Sequence, residues 1–325
     1  MTYAIMSDIH GNNPAFVAAI EDAKLSGADE YILLGDYTSR YPWGDMVVDT
    51  MRSLCGAHVI RGNGEGYYVN WPPDWGDMSA QQLAPITWAY EKLTRDNLAY
   101  LLALPETAMV SHGGIDIFLQ HSIDFFFHPQ VMTFAHTMNF NNMMLVSPLS
   151  HYEHLVRGRE AFLACPAVVA AIMALPKGVY LYGHNHLQFH MEYEGRLFIN
   201  PGSCGMAADW GSSAAYTLLT IEDGKWSILE RRVVYDIDAA EAGFVSTGYQ
   251  AYAPVWSDAT IRQMRTGMEY FGWLVTHLNK TRQDAARMIA TEKIATMKAA
   301  TPEDVWDIAI KTWPKEISRI QSAIK

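Results

Sequence analysis

The chain opens on an apolar run, Tyr3-Ala-Ile-Met6, that breaks into Ser7-Asp8-Ile-His10, and the same change of character recurs along it. Leu33-Leu34 gives way to Gly35-Asp36, Val59-Ile60 to Arg61-Gly62-Asn63, Met109-Val110 to Ser111-His112, and Tyr180-Leu-Tyr182 to Gly183-His184-Asn-His186. Short apolar runs closed by turn residues have the length of buried strands. Between the first three, Pro14 to about Ser26 and Met46 to about Leu54 read as helices. Asn12 or Asn13 stands where a cap is needed, and Pro14 suits an early helical position, where its missing N–H leaves nothing unpaired. The order β-α-β-α-β predicts parallel strands covered by helices, with a site beyond their carboxyl ends.

Further along, Gly66 to Gly76 carries Tyr67, Tyr68, Trp71 and Trp75 beside Pro72 and Pro73, which predicts an ordered loop. A helix is expected from about Ala80 to Leu104, then a strand over Thr107 to Ser111. Residues 121–176 do not read as a simple crossover and are expected to form a helical insertion or cap, with helices near Tyr152 to Phe162 and Ala167 to Leu175. Strand patterns return at Val179 to Tyr182, Gln188 to Tyr193, Arg196 to Ile199, Ala215 to Ile221 and Trp226 to Val234, with Glu194-Gly195 and Asp223-Gly224 as hairpin turns. From about Asp236 the pattern is helical. Asp258 to Asn279 reads as one helix, Thr281-Arg-Gln-Asp284 and Thr301-Pro-Glu-Asp304 as capping signals for two more, and Pro314 as an interruption of the last. These helices are placed either to cover the sheet or to form a homodimer surface.

The 325 residues are half apolar, enough for a large core. A net charge of -11 and the lack of a Lys/Arg cluster oppose an extended nucleic-acid surface, because counterion release needs a basic track. Three separated cysteines, Cys55, Cys165 and Cys204, with no CxxC spacing fit a reducing compartment. The first strand begins without a signal segment, and no apolar stretch approaches the roughly 20 residues that span a bilayer. A cytoplasmic protein with no membrane partner is expected.

Donor residues at the strand ends change this picture most. Asp8, His10, Asp36, Asn63, His112, His184 and His186 offer oxygen or imidazole nitrogen, and Asp36, with two oxygens, can bridge two ions. Counting Asp36 twice, the set supplies about four protein donors per ion and leaves room for water or substrate. Each residue alone has an ordinary explanation: a turn for Asn63 between glycines, a helix approach for Asp8, a polar core position for His10 or His112. Together they predict a shared two-metal site. Asn12 and Arg61 lie close enough in sequence to orient an anionic group, against the competing roles of helix cap and surface salt bridge. A G-x-S-x-G elbow around Ser203 and a phosphate-binding loop are both absent.

The ordered set Asp8-Ile-His10-Gly-Asn12, Gly35-Asp36, Gly62-Asn63, His112-Gly113, Gly183-His184-Asn-His186 and Asn200-Pro-Gly-Ser203 resembles the calcineurin-like metallophosphoesterase superfamily, nearest its small bacterial phosphodiesterase branch. The resemblance covers about residues 1–235, including the insertion at 121–176, and leaves 236–325 as a helical C-terminal extension. It implies a two-sheet α/β sandwich flanked by helices. Asp8, His10 and His186 would hold one ion and Asn63, His112 and His184 the other, with Asp36 bridging. The cofactor implied is a pair of divalent or mixed-valence ions, Mn, Fe or Zn, and the activity is hydrolysis of a phosphoester by a metal-bridging hydroxide.

One position departs from the family. Where many relatives carry histidine after the metal-bound asparagine, this chain has Gly64 and then Glu65. Glycine supplies no proton to a departing alkoxide, which favours phosphodiesters or activated phosphate esters unless water, Glu65 or a cap histidine (His121, His128, His136, His151 or His154) takes that part. A small phosphorylated substrate is expected, nucleotide-like if the aromatics at 67–75 stack on it. The competing readings are a serine/threonine protein phosphatase, which needs a shallow open cleft, and a metal-bound sensor or scaffold without catalysis.

Overall fold

The computed structural model describes residues 1–72, 76, 78–123, 150–209, 211–291 and 301–324. Among the described residues, ten strands form two five-stranded sheets. In the first, β1 (Thr2–Met6), β2 (Glu30–Leu33) and β3 (Ala57–Val59) run parallel, and β9 (Ala214–Glu222) and β10 (Lys225–Val233) extend the β1 edge antiparallel. In the second, β5 (Ile115–Gln120), β6 (Gly178–Leu181) and β8 (Arg196–Pro201) are parallel, flanked by antiparallel β4 (Thr107–His112) and β7 (Gln188–Tyr193).

The strands' two-residue period sends one face of each sheet inward. Ile5, Ile32 and Leu34 of the first sheet meet Ile117, Leu181 and Ile199 of the second in a shared apolar core. The outer face of the first sheet is covered by α1 (Asn13–Leu25) and α2 (Gly44–Ser53), through Phe16, Ile20, Val47 and Val48. Helices α6 (His151–Ala164) and α7 (Pro166–Ala174) cover the second through Phe162, Val168 and Ile172. These belong to the expected helical insertion. His128 and His136 lie outside the described residues.

Asn12 caps α1 by accepting from the Ala15 N–H at 3.3 Å, with Pro14 in the first turn. The long helix expected over 80–104 is two, α4 (Ala80–Lys92) and α5 (Arg95–Ala103), because Leu93 turns extended and Thr94 caps the second by accepting from Asn97 N. A four-residue turn, α3 (Asn63–Gly66), follows β3. The extension comprises α8 (Ile237–Ser246), α9 (Tyr249–Tyr252), α10 (Pro254–Thr266), α11 (Tyr270–Thr291) and α12 (Pro302–Ile324).

Gly267, at φ +66°, ends α10 where one helix over 258–279 was expected, and Thr281 lies inside α11 rather than at a start. Pro314 does not break α12, where buried Trp313 and Ile317 hold the helix on the extension's core. That core also takes in Tyr41 and Trp88 from the sandwich, so the extension packs directly on the elements that carry the strand-end loops. No described helix is long and apolar enough to cross a membrane.

The loop after β8 closes against the loop after β1. Gly205 N–H donates to Asp8 O at 3.1 Å and Gly205 O accepts from Asn12 Nδ2 at 2.8 Å. A Cβ at Gly205 would overlap the Ile9 carbonyl oxygen, which is backbone and cannot move aside. Gly205→Ala is expected to destabilise the fold by about 1–3 kcal/mol, read as a lower midpoint in thermal unfolding followed by far-UV circular dichroism. An unchanged midpoint would contradict this close approach.

Candidate metal centre

The carboxyl ends of β1, β2, β3, β5 and β6 all point to one edge of the sandwich, and each is followed within a few residues by a donor side chain. Asp8 and His10 follow β1, Asp36 follows β2, Asn63 follows β3, His121 follows β5, and His184 and His186 follow β6. Five of these residues sit in the left-handed backbone region: Asp8 (φ 54°), His10 (52°), Asp36 (56°), His184 (72°) and His186 (60°). Left-handed conformations of non-glycine residues cost of order 1–3 kcal/mol each and persist only where the surroundings impose them. Here they turn consecutive strand-end side chains toward one point instead of letting them alternate.

Four donor atoms meet in one group. His10 Nε2 lies 3.0 Å from His186 Nε2, 3.9 Å from Asp8 Oδ1 and 3.8 Å from Asp36 Oδ2, and His186 Nε2 is 3.4 Å from Asp8 Oδ1. A second group is centred on His121 Nε2, 3.0 Å from Asn63 Oδ1 and 3.5 Å from Asp36 Oδ1. Asp8, Asp36 and His121 converge within 4.8 Å, as do Asp8, His10 and His186. The His184 ring lies edge-on to His121, with centroids 5.2 Å apart. Asp36 thus directs one oxygen at each group, and Asp8 is common to both.

The histidines are oriented from behind. His121 Nδ1–H donates to Leu34 O at 2.7 Å and His186 Nδ1–H to Met206 O at 2.9 Å. A carbonyl only accepts, so Nδ1 carries a proton and Nε2 is the ring atom turned to the centre, free to present its lone pair when the ring is neutral, the usual support of a metal-bound imidazole. The carboxylates are oriented likewise: His184 N–H donates to Asp8 Oδ2 at 3.0 Å and Gly64 N–H to Asp36 Oδ1 at 2.6 Å.

His112 is not in this cluster, which corrects the expectation that it holds the second ion. Strand β4 is antiparallel to β5, so its carboxyl end, paired with Ile115, lies at the opposite edge of the sheet, where the His112 ring meets Tyr3 at the start of β1. The residue in its place is His121. Its signal was present in the sequence: Ile115-Asp-Ile-Phe-Leu-Gln-His121 is another apolar alternation ending in a donor, after the Gly113-Gly114 turn.

Neither orienting residue faces the cluster. Asn12 is fully buried as a cap, donating to Gly205 O and to the Tyr235 hydroxyl, and Arg61 pairs with Glu106. Glu65 does not offer an acid either. Its carboxylate accepts from the backbone N–H of Asp36, Tyr37 and Gly62 at 2.8–3.0 Å and ties the β2 and β3 loops together. Ser203 donates to Asp8 O at 2.6 Å and accepts from Met206 N–H, which makes it a strut and not a nucleophile.

Charge shows what the centre is built to hold. Burial alone would raise the Asp8 and Asp36 carboxyls, yet the neighbouring imidazoles, His186 foremost for Asp8 and His121 for Asp36, hold both below the usual carboxylate range. The converse is that burial, which alone would lower them, is overcome by Asp8 at His186 and by Asp36 and Asp8 at His121, so both are raised, whereas burial and the like charge of His186 lower His10 to about 3. Two buried carboxylates therefore draw positive charge into the core. Among the described residues Asp8 Oδ1 has no hydrogen-bond donor although it is wholly buried. Divalent ions satisfy both conditions, and an N/O donor set without sulfur suits Mn, Fe or Zn.

Two donor groups sharing carboxylates at the strand ends of a two-sheet sandwich define a binuclear metal centre of the phosphoesterase kind. Residues 1–224 match the calcineurin-like phosphoesterase superfamily domain, and the chain belongs to that superfamily. Over 252 residues it is 23% identical to the uncharacterized protein MJ0912 of Methanocaldococcus jannaschii, covering 73% of this chain and 89% of the relative. In fold it is similar to a metallophosphoesterase from Sphaerobacter thermophilus, with a TM-score of 0.55 at 18% identity over 82% of this chain and 100% of that one. The hypothetical protein PH1004 of Pyrococcus horikoshii gives a TM-score of 0.58 at 18% identity over 82% and 98%. At these identities the structural likeness concerns the fold.

Elemental analysis separates the two histidines. His121→Ala is expected to lower metal content from two ions per chain toward one, and His112→Ala to leave it unchanged. The reverse result would move the second donor group to the other edge of the sheet.

Proposed function

We propose that this chain is a metal-dependent hydrolase of phosphodiesters or activated phosphate esters, taking a small phosphorylated molecule as substrate. The observation that carries this reading is the geometry of Asp36, whose two oxygens face separate nitrogen donors, His10 Nε2 at 3.8 Å and His121 Nε2 at 3.5 Å. A pair of divalent ions, when bound, activates water and neutralises charge on the phosphoryl oxygens. The chain's own residues would hold that pair: Asp8, His10 and His186 on one side, Asn63, His121 and His184 on the other, with Asp36 available to both.

The preference for diesters or activated esters rests on what surrounds Asn63. Gly64 has no side chain, its N–H is committed to Asp36, and a Cβ there would press within 2.9 Å of Asp36 Oδ1. Glu65 is buried behind Asp36, and both its oxygens are occupied by the backbone N–H groups of Asp36, Tyr37 and Gly62, so it points away from any leaving group. With no proton donor on this turn, a leaving group that departs as a stable anion is served best. The small bacterial phosphodiesterase branch is the nearest functional comparison, with 1–235 as the catalytic unit and 236–325 as its extension. The acidic surface and the missing basic track support a small substrate over an extended nucleic acid.

Purified protein reconstituted with Mn2+ is expected to hydrolyse bis(p-nitrophenyl) phosphate and to lose that activity with chelator. Asp36→Asn should lower kcat by more than about a hundredfold, since even the partners that orient metal ligands are worth about 10–100-fold. Activity that survives both treatments would refute the reading.

A further inference from the structure

Between α4 and the C-terminal helices α10 and α11 lies a cavity of about 770 Å3, within the range typical of small-molecule sites. One wall is a single face of α11, with Phe271, Val275, Leu278, Asn279 and Arg282 at i, i+4, i+7, i+8 and i+11. The facing wall is Leu83 and Ile86 of α4. From Phe271 to Arg282 the helix advances eleven residues, about 16 Å at 1.5 Å per residue, so the cavity is elongated. Its sides are apolar and its far end is polar, where Arg282 donates to Gln82 Oε1 at 3.4 Å.

The near end adjoins the donor cluster. Arg40 reaches across the Phe271 ring at 4.1 Å, from a backbone held at φ 94°, and makes no hydrogen bond or ion pair with a described residue. The next residue, Tyr41, donates its N–H to His10 O at 2.9 Å. Tyr67, also on the lining, accepts from Asn63 Nδ2 at 3.4 Å. Of the lining residues, Tyr67 thus touches Asn63 directly, and Arg40 is joined to the His10 loop through its neighbour Tyr41.

We infer that this cavity receives the larger organic arm of the phosphoester, an elongated amphipathic group of nucleoside size, and that the C-terminal extension is the substrate-selecting part of the protein. The inference rests on the metal-dependent hydrolase reading above. Apolar walls hold the body of the arm, and Arg282, Gln82 and Asn279 face its polar end. A phosphoryl group at the metal centre and its arm in the cavity then form one continuous ligand. Binding energy gained along the arm, away from the reacting phosphorus, holds the ester in place for reaction.

Two esters with the same leaving group test this: methyl p-nitrophenyl phosphate and thymidine 5′-(p-nitrophenyl phosphate), each assayed with the metal-loaded full chain. The wild type is expected to favour the thymidine ester in kcat/KM by at least about tenfold. Val275→Trp, which fills the cavity from α11, should bring that ratio to within about threefold of one. If Val275→Trp fails to fold, Arg282→Ala at the outer end serves, with an expected fall in the ratio of about threefold or more. A wild-type ratio near one, or a high ratio that the folded variant leaves unaltered, overturns the cavity assignment while leaving the hydrolase reading intact. No metal-dependent turnover of either ester overturns the hydrolase reading itself, and this inference with it.

Discussion

Two carboxylates, Asp8 and Asp36, are buried together at the meeting point of both sheets, and the rest of the site answers to that fact. An uncompensated charge in a protein interior is strongly unfavourable, and two like charges more so. The chain answers with directed N–H groups from His184 and Gly64, with imidazoles that turn a lone pair inward, and with space for cations. Left-handed conformations at five donor residues are the local cost of that convergence. Sheet packing meets it, since the strands that end at the centre are also those that build the apolar core between the sheets.

The same crowding explains the glycines. Gly62 and Gly183 pass so close to Asp36 and to Ser7 and Asp8 that a Cβ at either would overlap them, and Glu65 fastens the Gly62 turn to the β2 loop from beneath. The residue after Asn63, Gly64, is accordingly part of the mounting of Asp36. Gly64 itself has no side chain to offer the centre. The C-terminal helices stand next to this gap: they share a core with Tyr41 and Trp88, and Gln263 donates to Ala207 O in the loop that follows Met206, whose carbonyl orients His186. Removal of the extension would therefore disturb the centre's support as well as the adjoining cavity.

Much of the fold and most of the donor set were legible in the chain because both follow from local pattern. An apolar run that ends in Gly-Asp or Gly-His-Asn-His marks a strand and its tip without knowledge of neighbours. His112 shows where that logic stops. It ends an apolar run as Asp36 does, but strand direction decides which edge a tip reaches, and direction is set by pairing. Strand β5, Ile115–Gln120, lies between the strand expected at 107–111 and the insertion expected from 121 and had no expectation attached to it; its parallel pairing with β6 brings His121 to the proper edge. Helix boundaries in the extension were obscured for a similar reason. Gly267 ends α10 by a left-handed residue that a helix interior also tolerates in sequence, and Pro314 persists in α12 because tertiary packing outweighs the lost N–H. Asn12 and Glu65 were polar residues near ligands whose burial, invisible in sequence, commits them to the scaffold.

Anomalous diffraction from crystals of the metal-loaded protein tests the central claim most directly. Two peaks are expected, about 3.5–4 Å apart, one bounded by Asp8, His10 and His186, the other by Asn63, His121 and His184, with Asp36 touching both. A single peak, or a second one beside His112 at the far edge of the sheet, would contradict the account.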